Sequence, residues 1–247
     1  TTGVFNTLVG GQAGDAMTTG NTNTAMGYLA LSAETEGDRN VAIGVGALGV
    51  QNNSDTDVYN VAIGYSAGGA MTTGVQNTIM GGLAGVALTT GGKNVAIGHS
   101  ALSTEDAHGF NVAIGYQALT SLNAGADAYN TAVGYSAGAA VTTAIKNTLV
   151  GALAGDAITT GGNNTVLGYD ALGANTIGNS NVAIGKDAMK TNVAADKNVA
   201  VGLGALQSMT SATTADTYNI AVGYQAGAVV TTGNLNTIVG GLAGDAL

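Results

Sequence analysis

Few side chains in this 247-residue chain are able to do chemistry: two histidines, fifteen acids and no cysteine. His99 and His108 lie nine residues apart, with no Cys and no clustered carboxylate at metal-ligand spacing, and no Ser, His and acid set suggests a nucleophilic triad. Both are read as surface or stacking residues. Glu34, Glu36 and Asp38 are the acids from which a glycoside-hydrolysing pair would be drawn, but all three fall in one turn without an aromatic platform to hold sugar. Gly44-Val45-Gly46-Ala47-Leu48-Gly49 matches the dinucleotide fingerprint, yet a turn, Gln51-Asn52-Asn53-Ser54, follows where a helix is needed. Asp55 and Asp57 beside that turn are read as solvated carboxylates. The chain is therefore expected not to be an enzyme, and no catalytic, cofactor-binding or metal residue is assigned.

Two sets of residues recur instead of clustering. Tyr28, Tyr65, Tyr116, Tyr135, Tyr169 and Tyr224 each follow a glycine, and Tyr59, Tyr129 and Tyr218 each precede an asparagine. Aromatic rings packed over small residues with their hydroxyls in water account for this, and a surface for glycans or host molecules is the functional reading. Tyr59, Tyr129, Tyr218, Tyr65, Tyr135 and Tyr224 are the candidate surface-binding residues. Threonine pairs at 18–19, 72–73, 89–90, 142–143, 159–160 and 231–232 raise ice binding, which needs a flat array on every coil; eight of the fourteen repeats lack the pair. Asp15, Asp156 and Asp245, in glycine-rich segments such as 240–247, lack the tandem nine-residue spacing of a calcium-binding β-roll.

The element that must position all of these is a tandem repeat. Asn, a Thr or apolar residue, two further apolar residues and Gly are followed three residues later by Ala, in copies beginning at Asn6, Asn23, Asn40, Asn60, Asn77, Asn94, Asn111, Asn130, Asn147, Asn164, Asn181, Asn198, Asn219 and Asn236. Ten of the thirteen intervals are 17 residues and the others are 20, 19 and 21, a spacing that predicts a solenoid. The positions one and three after Asn are β-branched or large and share one face of a strand, while the position between them, often Ala, points the other way. Invariant Gly and Ala at four and seven after Asn mark a crowded place. Asn itself is read as a turn residue tolerant of left-handed dihedrals, or as a rung of a ladder along the stack. The variable remainder of each copy is read as a second short strand and a turn. Fourteen such coils at ~4.8 Å each would give a rod of ~65–70 Å. The three long intervals end in Asp57-Val58-Tyr59-Asn60, Asp127-Ala128-Tyr129-Asn130 and Asp216-Thr217-Tyr218-Asn219, which divides the array into blocks of about 70 and 89 residues.

Composition agrees with a thin solenoid. Glycine contributes 41 residues, proline and tryptophan are absent, and apolar residues reach 45% at fixed offsets, so neither a compact globule nor disorder is indicated. A net charge of −9 with six scattered basic residues excludes nucleic acid and anionic membrane as natural partners. No apolar run approaches the ~20 residues that span a bilayer. The first residues lead straight into a repeat and the last stop partway through one, so the chain is read as one elongated domain cut from a longer array.

The segments at 40–44, 60–64, 94–98, 111–115 and 181–185, all Asn-Val-Ala-Ile-Gly, resemble the head repeat of YadA-like trimeric autotransporter adhesins. Asn130-Thr131-Ala132-Val133-Gly134-Tyr135 is similar to the repeats of phage tail fibres. The adhesin repeat is shorter than the 17 residues here. The resemblance implies an extracellular homotrimer of parallel left-handed β-rolls, on a virion or a bacterial surface, with the Val and Ile face turned to the threefold axis. That face comprises Val41, Ile43, Val61, Ile63, Val95, Ile97, Val112, Ile114, Val182 and Ile184. An uncovered apolar row of this length independently asks for a partner, either a trimer mate or the next subunit of a filament.

Overall fold

The computed structural model describes residues 2–54, 57–211 and 214–246. The chain is all-β, a parallel β-solenoid of about 13 turns, without a helix among the described residues. Two compact units divide it, Thr1–Asp127 and Ala128–Leu247. The first holds β1 (Thr7–Val9), β2 (Thr24–Met26), β3 (Val41–Ile43), β4 (Val61–Ile63), β5 (Thr78–Met80), β6 (Val95–Ile97) and β7 (Val112–Ile114). The second holds β8 (Thr131–Val133), β9 (Thr148–Val150), β10 (Thr165–Leu167), β11 (Val182–Ile184), β12 (Val199–Val201), β13 (Ile220–Val222) and β14 (Thr237–Val239).

Within each unit every strand pairs in parallel with the next, and equal repeat positions face each other. The longer intervals leave this register untouched, since Val41 pairs with Val61 and Val199 with Ile220. The extra residues are absorbed in the turns, because a one-residue slip would send the inward side chain to the outer face.

The repeat glycine is what lets coils lie this close. At Gly98, φ is +127° and a Cβ would stand 2.4 Å from the carbonyl oxygen of Gly115 in the next coil. Backbone conformation and the neighbouring carbonyl both exclude a side chain there. Nearly every repeat glycine also accepts the N–H of the Ala three residues on, as in Ala101 to Gly98 at 3.2 Å, closing a turn.

Buried asparagines form the second continuous feature. In the first unit the N–H of each repeat Asn donates to the side-chain oxygen of the preceding one, from Asn23 to Asn6 through Asn111 to Asn94. The second unit repeats this from Asn147 to Asn130 through Asn236 to Asn219. Most side-chain amides then donate to the carbonyl fourteen residues on, three before the next repeat Asn, as Asn77 does to Gly91 at 2.9 Å. Of the two readings, a turn residue tolerant of left-handed dihedrals and a ladder rung, the second describes the repeat Asn. The left-handed residue is the one before it, including Arg39, Tyr59, Lys93, Phe110, Lys197 and Tyr218, which frees the Asn to point inward.

The expected second strand is also corrected. Each described coil has one three-residue strand, and its opposite side is held by single rungs. There the first residue of a Thr pair donates both N–H and hydroxyl to the equivalent carbonyl of the next coil, as Thr72 does to Thr89. A coil of 17 residues carrying three sharp turns has no length left for another strand.

The interior is filled by compensation. From Ala25 to Ala221 the residue two after Asn is fully buried in every coil, whereas Leu8, two after Asn6, is exposed. Where position eight is Leu or Met, as at Leu31, Leu48, Leu102, Leu172 and Met189, position eleven is polar: Glu34, Gln51, Glu105, Asn175 and Asn192. Where position eight is Gly, as at Gly68, Gly85, Gly155 and Gly227, position eleven is Met71, Leu88, Ile158 or Val230. A Cβ on Gly155 would meet Ile158 at 2.7 Å and Leu149 at 3.0 Å, so the larger side chain occupies the volume that the glycine vacates. Leu119 with Leu122 and Leu206 with Met209, in coils that precede a long interval, carry large residues at both places.

Gly98→Ala is expected to lower the unfolding free energy by about 3 kcal/mol or more, from backbone strain and collision with Gly115. Gly125→Ala, whose Cβ meets nothing within 4 Å, is expected to change it by less than about 0.5 kcal/mol. Urea denaturation followed by circular dichroism compares the two; equal effects would contradict the role given to the repeat glycine.

Candidate functional site

Outward-facing residues of the strands build one apolar face on each unit. In the first, Val41, Ile43, Val61, Ile63, Val95, Ile97, Val112 and Ile114 are all half-buried, and Met26 and Met80 in the same row are exposed. In the second, Val182 and Ile184 are half-buried while Leu167, Ile220 and Val222 are exposed. The alternate residue of each strand fills the interior, so these side chains stand on the outer face.

Two rows flank each face. The residue after the repeat glycine supplies Tyr28, Tyr65 and Tyr116 in the first unit and Tyr135, Tyr169 and Tyr224 in the second, all exposed. His99 belongs to this row and stacks on Tyr116 with centroids 5.7 Å apart and planes 15° from parallel. Its Nδ1 lies 3.0 Å from the hydroxyl of Ser100, but among the described residues no carboxylate bonds its other nitrogen, so an oriented nucleophile–base pair is not formed. Lys186 lies over the Tyr169 ring at 5.9 Å.

The residue before Asn supplies the other row, and here the structure collects what sequence reasoning left scattered. Arg39 and Lys93 in the first unit and Lys146 and Lys197 in the second, four of the six basic residues, all occupy it. Their position directly before Asn40, Asn94, Asn147 and Asn198 was the available signal. Tyr59, Phe110, Tyr129 and Tyr218 fill the same row. Arg39 pairs with Asp57 and lies 5.4 Å from the centre of the Tyr59 ring, and Lys93 lies 4.9 Å from that of Phe110. Lys197 Nζ lies 2.7 Å from Asp216 and 5.4 Å from the centre of the Tyr218 ring, whose hydroxyl donates to Asp216 at 2.9 Å. Asp57 with Tyr59, and Asp216 with Tyr218, thus each clamp the cation of the preceding coil, whereas Asp127 faces a coil with Phe110 at that place and accepts from the Gly109 N–H instead. Each clamp holds an enlarged turn against the stack. Asp55, beside the first clamp, lies outside the described residues.

Charges shift accordingly. Hydrogen bonding to Asp216, and then to the Tyr218 hydroxyl, raises Lys197 above the ordinary lysine range. The Lys197 ammonium and then Tyr218 hold Asp216 below the ordinary 3.8. On a separate lateral surface of the second unit, Lys190 bonds Asp170 at 2.7 Å and Asp187 at 3.2 Å, and these two carboxylates raise it. Nearby Asp156 is raised from 3.8, first by burial and then by the charge of Asp170.

Other residues singled out by type have structural partners. Glu34 is fully buried and accepts from the backbone N–H of Thr35, Glu36, Gly37 and Asn53 and from the Gln51 side chain. Asp38 accepts from Asn21 N at 2.6 Å, and Glu36 is exposed, so the three acids do not converge on a cleft. Gly44, Gly46 and Gly49 serve coil contacts and turns. The hydroxyls of Thr18, Thr72, Thr89, Thr142 and Thr159 donate to the next coil, while Thr18, Thr72 and Thr142 remain exposed. His108 corrects the sequence reading, since Glu105 and Asp106 stand close beside it.

No protein-family model, curated protein or solved structure matches the chain.

The depressed carboxyl of Asp216 predicts a stability term present above the ordinary 3.8 and lost as pH falls through its lower folded-state value. In a carboxyl-detected NMR titration Asp216 should protonate below 3.8, and in Lys197→Met it should move back towards that value. An Asp216 titration unaltered by the substitution would contradict the clamp.

Proposed function

We propose that this chain is a structural fibre segment, a shaft or head of a trimeric extracellular attachment fibre of a phage tail or a bacterial surface. Its fourteen repeats act as fourteen stacked coils, and three chains associate through their strand faces. The observation that carries this reading is the half-buried row of ten Val and Ile residues, in a chain whose interior is already filled. Completing their burial is worth about 1 kcal/mol each, half of the full transfer value, or about 10 kcal/mol per chain. That is comparable with an association cost of roughly 4–15 kcal/mol, and the exposed Met26, Met80, Leu167 and Val222 of the same rows add to it.

Side chains beside the face supply the attachment surface. Exposed Tyr59 and Tyr65 in one unit, and Tyr129, Tyr135, Tyr218 and Tyr224 in the other, offer rings to host glycans or proteins, with the clamped cations and acids setting polarity. The acidic balance of the chain favours neither nucleic acid nor anionic lipid as a partner. Coil-to-coil backbone bonding supplies stiffness, and the turns supply specificity.

Sedimentation equilibrium of the purified chain is expected to give a trimer, and Ile97→Asp with Ile114→Asp a monomer with an unchanged circular dichroism spectrum. A monomeric parent chain at micromolar concentration would overturn the proposal, and indefinite fibres in electron micrographs would replace it with a filament subunit. Peroxide should oxidise Met26 and Met80 more slowly in the assembled form than in that variant.

A further inference from the structure

Glu34 and Glu105 occupy the same repeat position, eleven residues after Asn23 and Asn94, and both are fully buried. Their surroundings differ. Glu34 is saturated by four backbone N–H groups and the Gln51 amide. Among the described residues, Glu105 accepts from only two N–H groups, those of His108 at 3.2 Å and Ala124 at 3.1 Å. The residue standing where Gln51 stands for Glu34 is Leu122, which donates nothing. A buried carboxylate with so few donors needs another source of positive charge.

Asp106 and His108 surround it instead, and ligand atoms of all three residues lie within 4.8 Å of one another. His108 Nδ1 is buried, makes no hydrogen bond, and lies 3.4 Å from Glu105 Oε1. That separation is long for a direct N–H···O bond, which falls at ~2.7–3.2 Å. It equals the edge of a tetrahedron around a metal with arms of ~2.1 Å, ~3.4 Å. A second carboxylate placed beside a buried one is likewise unfavourable without a cation between them.

We propose that Glu105, Asp106 and His108 form a binding site for a first-row divalent cation, with Zn2+ as its representative. Two carboxylate oxygens and one imidazole nitrogen are ligands of that class. The turn is fixed before any ion arrives. Thr89 donates its N–H and hydroxyl to the Asp106 carbonyl at 2.6 and 2.8 Å, and Asn94 Nδ2 donates to the His108 carbonyl at 3.1 Å. Ala124 N holds Glu105 Oε2, leaving Oε1 directed at His108. Asp106 and His108 are half-buried, so the remaining coordination positions face solvent and take water or an oxygen of an incoming ligand. No other repeat carries Glu-Asp-x-His, so the chain holds one such site.

Calorimetric titration of ZnCl2 into the metal-stripped full chain at neutral pH is expected to show one Zn2+ per chain. Asp106→Asn and His108→Asn should each weaken binding at least tenfold with unchanged circular dichroism, while His99→Asn should leave it unaltered. X-ray absorption on the Zn2+-loaded parent chain should show one imidazole among oxygen ligands, a readout independent of how the variants fold. No saturable binding below about 1 mM, loss of binding in His99→Asn, or a spectrum without imidazole would overturn the assignment.

Discussion

Everything in this structure depends on one close approach, that of the backbone at the repeat glycine to the same glycine one coil on. A carbonyl oxygen occupies the place of the missing Cβ at Gly27, Gly44, Gly64, Gly81 and Gly98 in the first unit, and at Gly134, Gly151, Gly168, Gly185, Gly202 and Gly223 in the second. With coils that close, strands of only three residues keep an exact pairing, and every other row is drawn into register. The asparagine ladder lies inside that register and bonds both along the stack and across the coil. A short parallel strand has little cohesion alone; here it is one of several rungs joining each coil to the next.

Such a coil is too thin for a conventional core, and its interior is shared out by position. A Gly at position eight is matched by a large residue at position eleven, and a Leu or Met at eight by a polar one, except in the two coils that carry Leu119 with Leu122 and Leu206 with Met209. Where the exchange leaves a polar residue inside, its groups must be bonded. Asn60 donates to Gln51 and Gln51 donates to Glu34, a buried chain across three coils. Glu105 breaks this pattern because its neighbour is Leu122, and the compensation comes from outside the core, at a turn exposed to solvent. Filling the interior with Ala and Leu also leaves the larger β-branched side chains of the strands on the outer face, so packing inside and association outside have a common cause.

Two of the six cations, Arg39 and Lys197, meet both an aromatic ring and an aspartate of the next coil, and Lys93 meets a ring there. Pairs such as Lys197 with Asp216 are exposed and contribute little to stability singly. Their geometry matters more, because each clamp joins an enlarged turn to a coil of ordinary length. Insertions can then enter the solenoid without disturbing strand register, and the turns become places where surface chemistry varies over a constant frame.

The period, the parallel solenoid and the division of each strand into an inner and an outer side are written in the residue pattern of the chain. Alternation of side chains and the invariant glycine and alanine carry that information locally. The outer residues, from Val41 to Ile184, and the exposed tyrosines were legible for the same reason. Tertiary structure alone decided what depends on contact between residues 17 to 21 apart. It replaced the expected second strand by single rungs, moved the left-handed dihedral to the residue before Asn, and joined Arg39 to Asp57 and Lys197 to Asp216. It also separated Glu34 from Glu105, two glutamates in the same repeat position, because the donors that distinguish them lie one coil away.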